Sequence, residues 1–388
     1  MFFKSEAELE KLGAAITTKE IKQQPILWEE TYTLWQKAAP AFEQMVTELL
    51  QSTAKKVRVI FTGAGTSQYV GDTLVPYLTR IGATERLEFL SFGTTDIVSA
   101  PEDHLLADEP TLLVSFARSG NSPESKATIE LAQKIVKDLR NLIITCAPQG
   151  DLAKAGQADK QSLVVLMPSA SNDQGFAMTG SFTCMLLAGA LFFDQTSADQ
   201  KAQFVQTAVK LGQMILTKEA ELQALVDLDF TRIVYLGSGS LRGLSREAQL
   251  KILELTHGQI ATVFDSSMGF RHGPKSFVAP KTLVCGFIAN DPYTQKYDLD
   301  ILEEIKADQI ALAVVALGQE ANKFSGQSIV YGEQDLLLPE VYLALPDILV
   351  AQALALLTAV KIGNTPDTPS PSGTVNRVVK GVLLHEYR

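Results

Sequence analysis

From residue 57 onward, short unbroken apolar runs alternate with longer amphipathic stretches. KVRVIFTG (56–63), RLEFLSF (86–92), TLLVSF (111–116), NLIITCA (141–147) and SLVVLMP (162–168) read as strands, with helices predicted over Ser67–Ile81 and Ser125–Lys137. Continuous Val, Ile and Leu strands separated by helices predict parallel sheets buried on both faces, the doubly wound α/β arrangement. Ahead of them, residues 1–52 read as helical: Pro25 suits a first turn, and Leu27, Leu34, Ala38, Phe42, Met45 and Leu49 recur at helical spacing.

The pattern then repeats. FTRIVYLGSGS (230–240) resembles VRVIFTGAGTS (57–67), and KTLVCGFIAND (281–291) resembles PTLLVSFARSG (110–120), both about 170 residues apart. Two matched pairs at one offset predict duplicated halves, each a three-layer αβα module. The expected organisation is a helical appendage at 1–52, a first module at 53–200, a helical connector at 201–229, a second module at 230–362, and a loop and tail at 363–388. The stretch GNTPDTPSPSGTVNR (363–377) is rich in Pro, Ser, Thr and Gly and reads as extended loop.

Composition narrows the function classes. Of 388 residues, 46% are hydrophobic and 20% charged, enough apolar mass for two cores. The 34 basic residues against 44 acidic ones give a net charge of −10, which argues against a nucleic-acid partner. Cys146, Cys184 and Cys285 lie in apolar runs without ligand spacing and read as buried thiols of a reducing compartment. The start, MFFKSEAELEKLG, carries acids and lysines where a signal peptide needs an apolar run. Phe176–Phe193 is the one stretch that tempts a membrane reading, and its length and hydroxyl residues favour a core helix. A cytoplasmic protein is expected.

Two predicted strand-to-helix junctions are small and hydroxylic: Gly63-Ala64-Gly65-Thr66-Ser67 and Ala117-Arg118-Ser119-Gly120-Asn121-Ser122. A helix start offers unpaired N–H groups and a positive dipole end, so either loop can cradle a phosphate; either can also be an ordinary turn. Two of them at the carboxyl ends of one sheet point to the crevice where open α/β sheets bind ligands. Gln68 stands where a dinucleotide fingerprint needs its third glycine, and no Walker lysine follows.

In the second half, the helix after Gly237-Ser238-Gly239-Ser240 has Ala248, Ile252 and Leu255 as its inward stripe. Glu247, Lys251 and Glu254 lie away from that stripe, and on pattern alone Glu254 reads as part of a solvated face. Phe270-Arg271-His272-Gly273-Pro274-Lys275 is a polar loop able to present an imidazole, or a surface turn. His257 reads as a charge complement at the helix end.

Taken in order, GAGTS (63–67), SFARSGNSPES (115–125), LKILELTHG (250–258), GFRHGPKS (269–276) and NRVVKGV (376–382) resemble the sugar isomerase (SIS) family in its tandem form, over roughly residues 50–388. The closest likeness is to tagatose-6-phosphate ketose/aldose isomerases and galactosamine-6-phosphate deaminases. That resemblance implies a sugar phosphate held by Gly65, Thr66, Ser67, Arg118, Ser119, Asn121 and Ser122, with Arg271 and Lys275 as further substrate contacts. It implies Glu254 as general base, His272 as ring-opening group, and Lys380 at the place of a tail lysine that forms an imine in the related synthase. Ala117 and Arg118 depart from that synthase's pattern, replacing a hydroxyl and an amide. No metal or cofactor is implied, and the family likeness suggests a homodimer or larger assembly. The competing readings are a plain isomerase without deamination, a non-catalytic sugar-phosphate sensor, and a nicotinamide oxidoreductase resting only on the Gly-Ala-Gly turn.

Overall fold

Ten strands among the described residues form two separate five-stranded sheets. The structure, a computed structural model, describes residues 1–320, 323–332, 336–373, 375–377, 379 and 381–387. The first sheet contains β1 (Val57–Gly63), β2 (Leu87–Gly93), β3 (Thr111–Ala117), β4 (Leu139–Thr145) and β5 (Ser162–Leu166), in the order β2-β1-β3-β4-β5. The second contains β6 (Arg232–Gly237), β7 (Ala261–Ser266), β8 (Thr282–Phe287), β9 (Ala313–Gly318) and β10 (Gln327–Val330), in the order β10-β9-β8-β6-β7. Read from the other edge, this is the same order. All pairings are parallel.

The order follows from the sequence pattern. Connections leave β1 and β3 in opposite directions across the sheet, and right-handed crossovers then set helices on both faces. β1 and β3 are buried along their whole length, which is why alternation is absent from them. On one face of the first sheet, Ile60 and Leu113 pack with Ile97, Leu131 and Ala132. On the other, the helix Thr66–Ile81 packs against Gly180–Phe193, and the ring of Phe61 meets Phe193 edge-on at 5.3 Å.

Two compact units result, each discontinuous in sequence. One comprises Leu27–Asp173, Gly180–Ser197 and 374–388; the other comprises Met1–Ile26, Gln174–Thr179 and Ala198–Gly373. The first 52 residues are helical, as Glu6–Lys11, Ala15–Lys22 and Gln24–Ser52, with Pro25 in the first turn of the third. That helix crosses the division between the units at Ile26 and Leu27. Residues 201–229 are also helical, within Ala198–Thr217 and Glu219–Val226.

Gly180–Phe193 is buried at every position. Asp173 caps its start, accepting the N–H groups of Gly180 at 3.1 Å and Ser181 at 2.9 Å. Its seven large side chains, Phe182, Met185, Leu186, Leu187, Leu191, Phe192 and Phe193, contribute on the order of 10 kcal/mol or more of apolar burial. The reading of this stretch as the one membrane-like segment needs correction. Glu340–Lys361 is longer, with a mean hydropathy of 2.0 in its most apolar window, 94% of which is buried. It is a core helix whose polar residues have internal partners: Gln352 accepts from Gln24 at 2.6 Å, and Asp347 accepts from the Tyr331 hydroxyl.

The second sheet is covered in the same way. Val234, Leu236 and Val284 pack with Phe270, Ile301, Leu302 and Ile305, so the helix Thr294–Ala307 and the segment carrying Phe270 lie on one face. The helix Ser240–Leu255 covers the other, against Glu340–Lys361.

Candidate active site

The first sheet's junctions are shaped by glycine. A side chain at Gly63 would stand 2.6 Å from the backbone of Ser67, and Gly65 sits at φ 56°, ψ −126°, conformational space open in practice to glycine alone. The chain can therefore turn directly from β1 into a helix that begins with Thr66 and Ser67, both buried at the strand's carboxyl end. After β3, Ser122 is the N-cap of the helix Pro123–Ile135, with Pro123 at its first position as the sequence predicts. The Ser122 hydroxyl makes no capping bond. Ser119 Oγ accepts the Asn121 N–H at 3.3 Å, and Asn121 Oδ1 accepts the Asp151 N–H at 3.0 Å, so Asn121 braces the loop.

Arg118 is placed differently from the phosphate-facing role that the resemblance implies. It is buried, and its Nη2 donates to the Arg377 carbonyl at 2.5 Å. Arg377 in turn donates through Nε to the Asp173 carbonyl at 2.8 Å. The guanidinium thus holds the tail. Lys380 lies outside the described residues.

Four polar groups unnoticed in the sequence gather beside these loops. The hydroxyls of Thr62, Thr94 and Ser115 and the Oε2 atom of Glu124 are buried without a hydrogen-bond partner among the described residues. Thr62 and Ser115 are register partners on β1 and β3, on the face shared with Ile60 and Leu113. Thr94 opens the helix after β2, and Glu124 lies in the first turn of Pro123–Ile135. Buried polar atoms left unpaired are costly, so such a group at a sheet's carboxyl edge marks a place where a polar guest belongs. No periodicity could reveal it, because Thr and Ser occur equally in strands and turns.

In the second unit, Glu247 and Lys251 of Ser240–Leu255 are fully buried. Glu254, read on pattern alone as part of a solvated face, is only partly exposed. Lys251 Nζ lies 3.2 Å from Glu247 Oε1 and 2.6 Å from Glu254 Oε2, while Glu254 keeps 22% of its side chain exposed. Burial opposes the charge on Lys251, but the two carboxylates outweigh it and hold its ammonium above the ordinary lysine value. Glu254 is therefore a carboxylate oriented from beneath by a buried cation and open on one side. His257 and Gly258 close the helix through their backbone, donating to Glu254 and Leu253 carbonyls, with His257 at φ 50°.

The His272 loop follows β7. His272 ends the short 3₁₀ turn Gly269–Arg271, and Gly273 at φ 120° turns the chain away, leaving the imidazole exposed. Arg271 and Lys275 do not present free cations. Arg271 Nε lies 2.6 Å from Glu304, and Lys275 Nζ lies 2.5 Å from Glu304 and 2.7 Å from Asp308. These pairs fasten the loop to the helix Thr294–Ala307. Glu254 rides on the helix covering one face of the sheet, and Phe270, two residues before His272, packs on the opposite face.

Burial pushes the thiols of Cys146 and Cys285 up to about 12, so neither is a nucleophile near neutrality. Among the described residues, no group of three His, Cys, Asp or Glu side chains is placed to hold a metal ion.

No protein-family model matches the chain. A protein of Shewanella sp. (strain ANA-3) named D-galactosamine-6-phosphate deaminase AgaS is 40% identical, over 99% of this chain and 95% of its own length. The chain belongs to the AgaS family of sugar isomerase (SIS) proteins. Solved structures agree with that membership. The tagatose-6-phosphate ketose/aldose isomerase of Escherichia coli matches with a TM-score of 0.84 at 36% identity, covering 96% of each chain. A Clostridium novyi NT protein provisionally given the same name matches with a TM-score of 0.93 at 39% identity, covering 100% of this chain and 99% of its own. Within the AgaS family setting, the two parallel sheets are the SIS architecture, and the hydroxyl-rich junctions of β1 and β3 lie at the carboxyl edge of the first sheet.

Proposed function

We propose that this chain is a galactosamine-6-phosphate deaminase/isomerase of the cytoplasm, converting galactosamine 6-phosphate and water to tagatose 6-phosphate and ammonia. Likeness to AgaS deaminases along nearly the whole chain carries the reading. Two SIS modules, at 53–200 and 230–362, would be linked by the helical stretch 201–229 and flanked by the segments 1–52 and 363–388.

The chemistry runs on one base. His272 opens the sugar ring, exposing the C1 aldehyde next to the C2 amine. Glu254 removes the C2 proton, giving a 1,2-enolamine, and returns a proton to C1, which leaves a CH₂OH at C1 and a ketimine at C2. Water adds to C2, and the C–N bond breaks to release ammonia and the ketose. Ser67, Ser119 and Ser122 hold the phosphate, with Gly65 and Thr66 shaping the turn, and such anchoring supplies several kcal/mol through positioning, ~7 in favourable cases. The open side of Glu254 and its Lys251 brace support the base assignment. Arg118 and Asn121 serve as loop and tail braces, Arg271 and Lys275 as fasteners of the His272 loop, and Lys380 stands in sequence at the place of the synthase's imine-forming lysine. No metal or cofactor takes part in this scheme.

Because the helix carrying Glu254 covers one face of the second sheet and Phe270, two residues before His272, packs on the other, we read the working site as combining Glu254 of one copy with His272 of a second, in a homodimer or larger assembly. The alternative of a plain tagatose-6-phosphate ketose/aldose isomerase is favoured by the names of the solved neighbours alone. The test is incubation with galactosamine 6-phosphate and, separately, glucosamine 6-phosphate, measuring ammonia and ketose. Equal amounts of both products from the galacto substrate are expected. Ketose formed only from a neutral aldose phosphate, without ammonia, would establish the alternative instead.

A further inference from the structure

The two sheets share strand order, and their switch points can be compared position by position. Arg58 of β1 faces Thr111 of β3, as Arg232 of β6 faces Thr282 of β8. Gly239 has φ 56° and ψ −124°, matching Gly65 to within a few degrees. The backbone turn that opens the first crevice is thus rebuilt in the second, but its side chains are not. Ser67 corresponds to the fully buried Leu241, Ser119 to Asn290, and Ser122 to Tyr293. Asn290 is spent inside the fold, donating to Gln319 and to the Leu338 carbonyl at 2.9 Å each.

A hydroxyl persists at Ser240, the counterpart of Thr66, while three other donors are already occupied by a carboxylate of the chain itself. Asp298, 1% exposed, reaches back from the helix Thr294–Ala307. Its Oδ1 accepts the hydroxyls of Ser238, after β6, and Ser267, after β7, at 2.5 Å each; its Oδ2 accepts the Ala289 N–H, after β8, at 3.1 Å. Three donors from three strand ends converge on one anion. The neighbouring helix start is capped by Asp291, which accepts the Thr294 N–H at 2.9 Å and its hydroxyl at 2.8 Å. Asp291 itself donates its N–H to Glu340 at 3.0 Å. An incoming phosphate would meet three carboxylates where the first crevice offers hydroxyls, a repulsion of several kcal/mol at the effective dielectric of a partly buried site.

We propose that the carboxyl edge of the second sheet is an anion cradle whose built-in occupant is the Asp298 carboxylate, closed to external phosphate but able to take a small carboxylate once that side chain is removed. The cradle's natural guest is covalently attached, so it acts as a staple joining β6, β7 and β8 to the helix Thr294–Ala307.

The test is the unfolding midpoint of the full chain in sodium formate and in sodium chloride at equal ionic strength. The wild type should respond alike to both salts. Asp298→Gly should unfold several degrees lower in chloride, and formate should restore about half of that loss or more, saturably, as a ligand that binds the folded state. Asp298→Asn, which leaves an amide in the cradle, should show no preference for formate. A glycine variant as stable as the wild type, or one that responds identically to the two salts, overturns the proposal. Should Asp298→Gly fail to fold in chloride, refolding from denaturant replaces the midpoint: recovery in formate alone supports the cradle, and failure in both salts contradicts it.

Discussion

Lys251 holds two carboxylates at once, and only one of them, Glu254, reaches the outside. Replacing it by Met removes the buried cation from beside the fully buried Glu247, which should lower stability by about 3–5 kcal/mol in denaturant titrations. Glu254→Gln keeps the shape and removes the base, so turnover should fall by ~10²-fold or more while substrate still binds. Asp298 gives a pH signature. Burial, eased by Ser238, Ser267 and the Ala289 N–H and aggravated by Glu340, lifts its carboxyl to about 6, and Asp347 faces the same region. The folded chain then holds this proton more tightly than the unfolded one, whose carboxyl titrates near 4. Stability from this group is largest below pH ~4 and falls, by on the order of 2–3 kcal/mol, as pH rises to about 6. Subtracting the profile of Asp298→Asn from the wild type should show that slope. At this scale the sequence was readable for Glu254 and His272 as candidates and silent on the triad. A charged stripe spaced like a solvated face looks the same when its charges cancel within the core.

At the scale of elements, the two glycine turns make a paired experiment. Gly65→Ala and Gly239→Ala should each destabilise the chain by about 1–3 kcal/mol, since neither site has a clash and the backbone strain is alike. Only Gly65→Ala should also raise KM for galactosamine 6-phosphate, because only its turn belongs to the proposed phosphate loops. Ser119→Ala with Ser122→Ala should likewise raise KM with a smaller loss in kcat. The strands were legible because parallel strands buried on both faces are written as plain apolar runs, and Pro123 and Pro25 marked helix starts correctly. Glu340–Lys361 escaped notice as a long apolar helix because Asp347 and Gln352 break its run, and each is matched by a partner far away in sequence. The orphan hydroxyls of Thr62, Thr94 and Ser115 were equally hidden, since what distinguishes them is a missing partner.

For the whole molecule, the geometry that matters is that the helix carrying Glu254 covers one face of the second sheet, while Phe270, two residues before His272, packs on the other. The family motifs named both residues, but their order along the chain carries no information about which face of a sheet each segment covers. On the proposed reading, a site that needs both draws on two copies. Mixing Glu254→Gln with His272→Asn, each inactive alone, and allowing subunits to exchange tests this directly. Random pairing into dimers leaves one intact site in each mixed dimer, so ammonia release should return to about one quarter of the wild-type rate. Mixed dimers that form and release no ammonia would contradict the account.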